Sequence, residues 1–339
     1  MEYRQLGRTG LFVSPLTLGS MLYGTATDQA EVDRQVAKAL EVGINSFDTA
    51  NIYGKGKSEE ALGKALKAQV DRDRIVLASK VHVSMDDSDP NARGNSRKHI
   101  LQQVHASLKR LGTDHLDIYY IHRPSTTVPI DETLRALDDL IRLGMVRYIG
   151  TSSYAAWQVL ESLWVSKELG LNRFVVEQSP YHLLDRSIER ELLPMAQTYG
   201  LGVLAWSPLA GGFLTGKYRR EQVRPEGSRF AELNGDWNRK HFIPQAFDVL
   251  EGLLPIAEEL GCSLAQLTLA WCISQPGMTG AVIGAKSMEQ LQEQLGALDL
   301  RLTPEIQARI NQVAVPARTV VPYYLEDGFK DLRPHQYRW

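Results

Sequence analysis

The sequence predicts an α/β fold, a (β/α)8 TIM barrel, because eight short apolar runs alternate with eight segments of helical pattern along its 339 residues. The runs are rich in β-branched and aromatic residues and nearly continuous in apolar character, which is typical of parallel strands that helices cover. A doubly wound sheet would show the same alternation, but eight strands favour the closed barrel. Since no linker-like stretch divides the chain, we expect residues 1–339 to form one domain.

The predicted strands and helices follow one another in order. The strands are Leu16–Gly19, Asn45–Thr49, Ile75–Lys80, Leu116–His122, Val146–Thr151, Phe174–Gln178, Gly202–Trp206 and Ala281–Ile283. The helices are Asp28–Glu41, Ser58–Ala68, Ser96–Leu111, Ile130–Leu143, Tyr154–Glu168, Ser187–Tyr199, a long region within Gln245–Ser274, and Ser287–Ala297. Asp28 with Glu31, and Ser287 with Gln290, have the spacing of a capping box or its aspartate analogue, which predicts a helix start at each place.

Three segments fall outside the repeating pattern. Residues Tyr3–Val13 contain two glycines between short extended runs, which predicts a β-hairpin ahead of the barrel. The long polar connection Ser207–Pro244 follows the seventh strand, and a loop of this length inside a compact domain is usually functional. After the eighth helix, Thr303-Pro304-Glu305 opens an extra C-terminal helix with proline in its first turn, and a tail rich in proline and aromatic residues ends the chain.

Composition and charge narrow the class of partner. The 38 basic and 40 acidic residues give a net charge of −2, so no basic face for nucleic acid or an anionic membrane is indicated. We expect a small-molecule substrate, and both a monomer and a homo-oligomer fit the sequence. No run of 18 apolar residues and no apolar signal segment at the N-terminus occur, and Cys262 and Cys272 do not resemble a disulfide framework, which together predict a cytoplasmic protein.

Four polar residues are predicted to meet at one rim of the barrel, where the C-terminal ends of the strands lie. Asp48 and Tyr53 stand at and just after the end of the second strand, Lys80 ends the third and His122 ends the fourth. Catalytic groups of such barrels collect at this rim. Each residue alone has an ordinary structural interpretation, as a strand end or a core histidine, whereas the four on consecutive strands favour a catalytic group.

The combination has a chemical logic. The pKa of an isolated tyrosine is about 10, and a neighbouring ammonium lowers it. We therefore expect Lys80 to lower the pKa of Tyr53, Asp48 to hold Lys80 charged and in place, and His122 to hydrogen-bond a substrate oxygen. The sequence contains no His-Glu-x-x-His, Gly-x-Ser-x-Gly or Walker motif. A proton donor without those partners suits reduction of a carbonyl group by a hydride supplied from elsewhere.

The run Gly43-Ile44-Asn45-Ser46-Phe47-Asp48-Thr49-Ala50-Asn51-Ile52-Tyr53-Gly54, with Glu59 following, resembles the first signature of the aldo-keto reductase superfamily. It most resembles the bacterial and potassium-channel-β-subunit-like branch, and the resemblance extends from Arg4 to about Ala297. It implies a catalytic tetrad of Asp48, Tyr53, Lys80 and His122, with Tyr53 as the general acid. This agrees with the chemical interpretation of the same residues.

The resemblance also implies a nicotinamide cofactor that lies across the barrel mouth without a Rossmann domain. In agreement, no Gly-x-Gly-x-x-Gly occurs in the chain. The Gly19-Ser20-Met21 turn and Asp48 would line the nicotinamide ribose, Ser152 and Gln178 would hold the carboxamide, and Trp206 would stack on the ring. The implied pyrophosphate contacts are Ser207, Pro208, Leu209, Gly211, Gly212, Leu214, Gly216 and Lys217. The implied contacts at the adenosine end are Ile283, Gly284, Lys286, Gln290, Glu293 and Gln294.

The chain departs from the family pattern at two places that bear on the cofactor. The family often has Ser-Asn after the fifth strand, where this chain has Ser152-Ser153. The family's adenine-binding asparagine is replaced by Gln294, which is one methylene longer. Lys286 could supply the positive charge that a 2′-phosphate needs, so we expect NADPH rather than NADH, with NADH possible.

The sequence therefore predicts an NADPH-dependent reductase of aldehydes or ketones. The residues expected to wall the substrate pocket are Tyr23, Tyr53, Met85, His122, Arg123 and Trp237. This mixture of aromatic residues and methionine suits aromatic or polycyclic carbonyl compounds as well as small sugars. One alternative is a cofactor-sensing regulatory subunit with weak turnover, like the channel β subunits. Another is a barrel hydrolase or isomerase without a cofactor, which would leave Trp206 and the glycine-rich segment unexplained.

Overall fold

The protein, here a computed structural model that describes residues 1–232 and 240–323, is a closed barrel of eight parallel strands with helices outside. The barrel strands are β3 (Leu16–Gly19), β4 (Ser46–Asp48), β5 (Val76–Val81), β6 (Leu116–Ile121), β7 (Val146–Ser152), β8 (Val176–Pro180), β9 (Gly202–Trp206) and β10 (Gly280–Ile283). Each strand pairs with the next, and β10 closes the circle by pairing with both β9 and β3. The predicted barrel is confirmed.

The helices follow the predicted segments in place and order, except for one short helix inside the connection Ser207–Pro244, which was predicted as a loop. They are α1 (Gln29–Glu41), α2 (Lys57–Gln69), α3 (Arg97–Leu111), α4 (Ile130–Arg142), α5 (Ala156–Leu169), α6 (Leu192–Tyr199), α7 (Arg229–Glu232), α8 (Pro244–Glu259), α9 (Leu264–Ser274), α10 (Met288–Leu295) and α11 (Pro304–Val313). The helix predicted from Thr303 onward is α11, whose first turn contains the proline and whose N-cap is Thr303. No helix in the described part of the chain is long and apolar enough to cross a bilayer.

Two local expectations were wrong. The long helical region within Gln245–Ser274 is two helices, because a turn through Gly261 ends α8 and Ser263 starts α9 with a capping box. The expected box of Ser287 and Gln290 does not form. Ser287 is the N-cap of α10 but its side chain makes no cap hydrogen bond, and Gln290 Oε1 accepts from the backbone N–H of Lys286 instead.

The predicted N-terminal hairpin is confirmed and closes the N-terminal end of the barrel. Strands β1 (Arg4–Gln5) and β2 (Phe12–Val13) pair antiparallel, and the hairpin carries Leu6 and Val13 into the apolar cluster inside the barrel. Because the hairpin fills one end with apolar side chains, the polar groups inside the barrel gather at the opposite end, where the strands terminate.

The strand period explains which residues reach that end. Side chains alternate between the two faces of a strand. Val76 and Ala78 of β5, and Ile118 and Tyr120 of β6, belong to the apolar cluster within the barrel. The same alternation then brings Lys80 inward at the end of β5, and His122 directly after β6.

Candidate active site

Lys80 joins three residues at the mouth of the barrel. Its side chain is fully buried, and its ammonium donates to Asp48 Oδ1 in an ion pair, to the Thr49 carbonyl oxygen at 2.9 Å and to the Tyr53 hydroxyl at 3.5 Å. A lysine without exposed surface is stable in its charged form only when paired and hydrogen-bonded. Burial alone would lower the pKa of Lys80, but Asp48 and Tyr53 outweigh burial and raise it, so the side chain stays an ammonium.

A tight turn sets the position of Tyr53. After β4 the chain forms a short 3-10 turn, Tyr53–Gly56, in which Gly54, Lys55 and Gly56 have φ angles of 57°, 51° and 99°. Gly56 is required there, because a Cβ at this position would lie 2.6 Å from Arg110 Cδ. The turn keeps Tyr53 at the rim of the barrel, and helix α2 begins directly after Gly56.

His122 lies beside Tyr53. The two rings meet edge to face with their centroids 5.8 Å apart. Burial, with the charges of Lys80 and Arg123, lowers the pKa of His122 well below its usual value, so the imidazole is neutral at physiological pH. Its buried Nδ1 has no hydrogen-bond partner among residues 1–232 and 240–323.

The pKa of Tyr53 differs from the sequence-based prediction. Burial raises it above the usual value for tyrosine, and this effect exceeds the lowering that the Lys80 ammonium produces, while Asp48 raises the pKa further. The predicted influence of Lys80 is present, but its predicted net outcome was wrong. Like an unperturbed tyrosine, Tyr53 is therefore protonated at neutral pH, as a proton donor must be before it reacts.

Gln178 reaches the carboxylate of Asp48 from the far side of the barrel. Gln178 Nε2 donates to Asp48 Oδ2 at 2.8 Å, so each carboxylate oxygen has its own donor. Ser152 is the register partner of Gln178 in the neighbouring strand, and Ser153 adopts a positive φ of 62° while its N–H donates to the Gln178 carbonyl oxygen. The amide of Gln178 is thereby oriented across the mouth, with Ser152 at its side.

The turn after β3 has a mixed role. Ser20 is buried, and its hydroxyl bonds the Asp48 carbonyl oxygen at 3.0 Å and the Ser58 hydroxyl at 2.7 Å, which ties β3, β4 and α2 together. Gly19 is half-buried beside β10, and Met21 is exposed. Thus the side chain of Met21 is open to a ligand, whereas the hydroxyl and the backbone groups of Ser20 are already engaged.

Trp206 and the segment after it border the same mouth. Trp206 is half-buried and packs edge-on against Tyr323, with ring centroids 4.6 Å apart. In the following segment Ser207, Ala210, Gly211, Gly212 and Gly216 all have positive φ, between 50° and 97°. The Ser207 hydroxyl accepts the Gly211 N–H at 2.9 Å. The repeated positive φ values fold this backbone tightly, and the N–H groups of Ala210, Gly212, Leu214 and Gly216 donate to carbonyl oxygens of the same segment.

The residues predicted for the outer end of a cofactor lie after β10. Gly284, Lys286, Gln290 and Glu293 are exposed, and Ile283 is buried at the end of the strand. Gln294 is buried and donates through Nε2 to the Gly284 carbonyl oxygen at 3.0 Å. Its Oε1 is buried without a hydrogen-bond partner in the described part of the chain. A buried acceptor without a partner, placed after β10, is suited to an amino group of a ligand. Four predicted residues of the glycine-rich segment remain. Pro208 and Leu214 are buried, Leu209 is half-buried and Lys217 is exposed.

The predicted pocket walls are only partly accessible. Met85 and Arg123 are half-buried in the loops after β5 and β6. Tyr23 is 1% exposed and its hydroxyl donates to Gln35 Oε1 of helix α1 at 3.0 Å, so that hydroxyl is occupied within the fold. Trp237 lies outside the described residues.

Comparison with known proteins identifies the family. Residues 15–315 match the model of the aldo/keto reductase family. The chain belongs to the aldo/keto reductase family. It is an oxidoreductase of that family, and the barrel with its N-terminal hairpin agrees with this membership.

Several relatives of this aldo/keto reductase cover almost its whole length. A probable voltage-gated potassium channel subunit beta of Oryza sativa subsp. japonica is 40% identical over 327 residues, which are 94% of this chain and 99% of the relative. A protein of the same description in Arabidopsis thaliana is 39% identical over 319 residues, 92% of this chain and 96% of the relative. The uncharacterized oxidoreductase YrpG of Bacillus subtilis (strain 168) is 39% identical over 323 residues, again 92% and 96%.

One residue near the mouth of this aldo/keto reductase escaped the sequence analysis. Asn95 is 1% exposed, and its side chain bonds His82 Nδ1 through Oδ1 at 2.7 Å and donates from Nδ2 to the Arg123 carbonyl oxygen at 3.0 Å. The backbone carbonyl oxygen of Asn95 accepts from the Thr133 hydroxyl at 2.9 Å. It thus joins the ends of β5 and β6 to helix α4. The signal in the sequence was slight: an asparagine directly before the N-cap of α3.

Proposed function

We propose that the chain is an NADPH-dependent aldo-keto reductase that reduces an aldehyde or ketone to an alcohol, with Tyr53 as general acid. The observation that supports this most is the Lys80 ammonium, which contacts both Asp48 and the Tyr53 hydroxyl at the mouth of the barrel. A neutral histidine stands beside the same hydroxyl. These are the groups that protonation of a carbonyl oxygen requires.

Tyr53 donates its proton to the substrate oxygen. The phenol is protonated at neutral pH, since the usual pKa of tyrosine is about 10 and burial raises the pKa of Tyr53 further. As the proton leaves, negative charge develops on the Tyr53 oxygen next to a fixed ammonium, and a charge that is already in place stabilises that state without reorganisation. Lys80 is in turn held by Asp48 and by the Thr49 carbonyl oxygen.

His122 orients the substrate oxygen. A neutral imidazole carries one N–H donor, whereas an imidazolium would place a second cation next to Lys80. The lowered pKa of His122 therefore preserves a neutral donor beside Tyr53. Two hydrogen bonds to the same oxygen, one from Tyr53 and one from His122, fix the orientation of the carbonyl group.

The residues at the mouth, in the segment Ser207–Lys217 and after β10 fit a nicotinamide dinucleotide. When bound, such a cofactor supplies the hydride that carbonyl reduction needs. The segment Ser207–Lys217 offers strained backbone and the Lys217 charge for a pyrophosphate, and the orphaned Gln294 Oε1 suits the amino group of an adenine. Trp206, Gln178, Ser152 and the turn of Gly19 and Met21 would border the nicotinamide half. We further propose that Lys286, exposed just before the N-cap of α10, favours the 2′-phosphate of NADPH.

The substrate is a carbonyl compound. Met85, Arg123 and the ring of Tyr53 provide a partly apolar border, which suits an aromatic aldehyde or ketone, or a small sugar. Arg123 directly follows His122 in the chain and is half-buried, so it adds a positive charge to this border.

A regulatory function is the second candidate, because two of the relatives carry the description of a potassium channel subunit beta. Such a protein would bind the cofactor tightly and turn over slowly. The two functions separate in one experiment, in which tryptophan fluorescence is followed during NADPH titration and nicotinamide absorbance is then followed with a panel of carbonyl compounds. Binding with rapid oxidation supports the reductase, binding with negligible oxidation supports the regulatory subunit, and no binding contradicts both.

A further inference from the structure

The chain after helix α11, residues 314–323, is fixed to the loop that follows β8, and we call it the C-terminal segment. The backbone N–H of Arg186 in that loop donates to the Arg318 carbonyl oxygen at 2.9 Å. Further along, the N–H of Val320 donates to the Leu184 carbonyl oxygen at 2.8 Å. Backbone hydrogen bonds from both sides therefore hold the segment against this loop.

Asp185 is the buried centre of the attachment. It is 1% exposed, and its Oδ1 accepts from the Thr319 hydroxyl at 3.0 Å and from the Ser187 N–H at 3.1 Å. Its Oδ2 accepts from the backbone N–H of Tyr323 at 3.2 Å. A buried carboxylate is stable only when hydrogen-bond donors surround it, so these contacts fix the backbone of Tyr323 relative to the loop.

The attachment brings the ring of Tyr323 to the mouth of the barrel. Tyr323 is 5% exposed, and its ring packs edge-on against Trp206, with centroids 4.6 Å apart and planes at 73°. Lys240 Nζ lies 5.2 Å from the centre of the same ring, which is within the range of a cation–π contact. The Tyr323 ring thus contacts a residue at the end of β9 and a residue of the long connection after it.

The contact with Tyr323 restricts the orientation of Trp206. Trp206 is half-buried, so part of its indole remains open to a ligand. The direction of an indole depends on two side-chain torsions, and packing neighbours select among their allowed values. An edge-to-face contact with a buried tyrosine favours one direction of the indole over the others.

We propose that Tyr323 is a positioning residue, which holds the Trp206 indole in the orientation that stacks on a nicotinamide ring. Asp185 holds Tyr323 in place and acts on the indole only through it. The inference rests on the proposed function, in which Trp206 borders the nicotinamide half of the cofactor. It gives the C-terminal segment a part in cofactor binding.

Two ligands that differ in the nicotinamide ring test the proposal. Calorimetry compares NADPH with 2′-phospho-ADP-ribose, which has the same phosphates and adenosine but lacks the nicotinamide. Tyr323→Leu should weaken NADPH binding about three- to tenfold, the effect of losing one aromatic pair, and leave 2′-phospho-ADP-ribose binding unchanged. Tyr323→Phe keeps the ring and should bind both ligands like the unmodified chain.

Val36→Ala is the control for a general loss of packing. Val36 is fully buried in helix α1, whereas the C-terminal segment is fixed to the loop after β8. The substitution should lower the free energy of unfolding, measured in urea, and leave the affinity for both ligands unchanged.

Double variants show whether the effect passes through Trp206. Trp206→Ala should weaken NADPH binding at least as much as Tyr323→Leu, and the two substitutions together should weaken it no more than Trp206→Ala alone. Asp185→Asn turns one carboxylate acceptor into a donor and should reproduce the loss of Tyr323→Leu. Adding it to Tyr323→Leu should weaken binding by less than about a further twofold. If circular dichroism shows Asp185→Asn to be unfolded, Thr319→Val takes its place, because it removes a single donor to Asp185.

Three results would overturn the inference alone. Tyr323→Leu could leave NADPH binding unchanged, it could weaken NADPH and 2′-phospho-ADP-ribose equally, or its full loss could persist on top of Trp206→Ala. The proposed function fails in a different way. If the unmodified chain does not bind NADPH, or if Trp206→Ala binds it unchanged, Trp206 does not stack on the nicotinamide, and the inference falls with it.

Discussion

Replacing Tyr53 with phenylalanine should separate catalysis from stability. Within the described part of the chain, the Tyr53 hydroxyl makes one long hydrogen bond, 3.5 Å from Lys80 Nζ, while its ring packs edge-on against His122 and would remain in the variant. Losing so long a hydrogen bond should change the free energy of unfolding by less than about 1 kcal/mol. Losing the proton donor should slow reduction by two to four orders of magnitude, which is about 3–5 kcal/mol in the activation barrier.

The assay combines single-turnover reduction of the best carbonyl substrate with fluorescence titration of NADPH and urea unfolding. We expect Tyr53→Phe to bind NADPH with nearly unchanged affinity. Tyr3→Phe is the matched control, because the Tyr3 hydroxyl donates to the Gly43 carbonyl oxygen at the surface, directly before β1 and at the opposite end of the barrel from the mouth. Turnover of Tyr53→Phe above about a tenth of the unmodified rate would refute the role of general acid, since a proton donor contributes at least about a hundredfold.

Three further predictions follow from the site. Lys286→Met should weaken NADPH binding, measured by calorimetry, while NADH binding stays as it was; equal losses would remove the proposed role of Lys286. Gly212→Ala should weaken binding of both cofactors without unfolding the chain, because its φ of 97° suits glycine and a Cβ would lie 3.7 Å from the Lys217 ammonium; unchanged affinity would argue against this segment as the phosphate contact. The free energy of unfolding should fall as the pH drops from about 6.5 towards 4, because burial lowers the pKa of His82 to about 4 and the unfolded chain binds that proton first. His82→Asn should fall less steeply over the same range, and an identical slope in urea titrations would assign the loss to other groups.

The barrel and the positions of the polar groups could be predicted because they depend on local pattern. Alternation along β5 and β6 is enough to carry Lys80 and His122 to the same end of the barrel as Asp48. The predicted and observed bounds of the strands differ by at most two residues. The largest difference is at β8, which was predicted to begin at Phe174 and begins at Val176.

What could not be predicted depends on burial and on contacts between distant segments. The sequence indicates that Lys80 is a neighbour of Tyr53, but not that desolvation outweighs the attraction between them. Likewise, the hydrogen bond from Gln178 to Asp48 crosses the barrel between residues 130 positions apart. The failed box at Ser287 shows the same limit on a small scale, because two backbone N–H groups compete for one glutamine side chain.

The link from Asp48 through Lys80 to Tyr53 is tested most directly by the pH dependence of the reverse reaction, alcohol oxidation, in which Tyr53 must accept a proton. The rate in single-turnover oxidation should rise with pH towards the pKa of Tyr53. Lys80→Met should move this rise to higher pH, because the ammonium that lowers the pKa of Tyr53 is gone, whereas Lys80→Arg should move it less. If Lys80→Met is folded and its rate rises at the same pH as that of the unmodified chain, Lys80 does not control the proton on Tyr53.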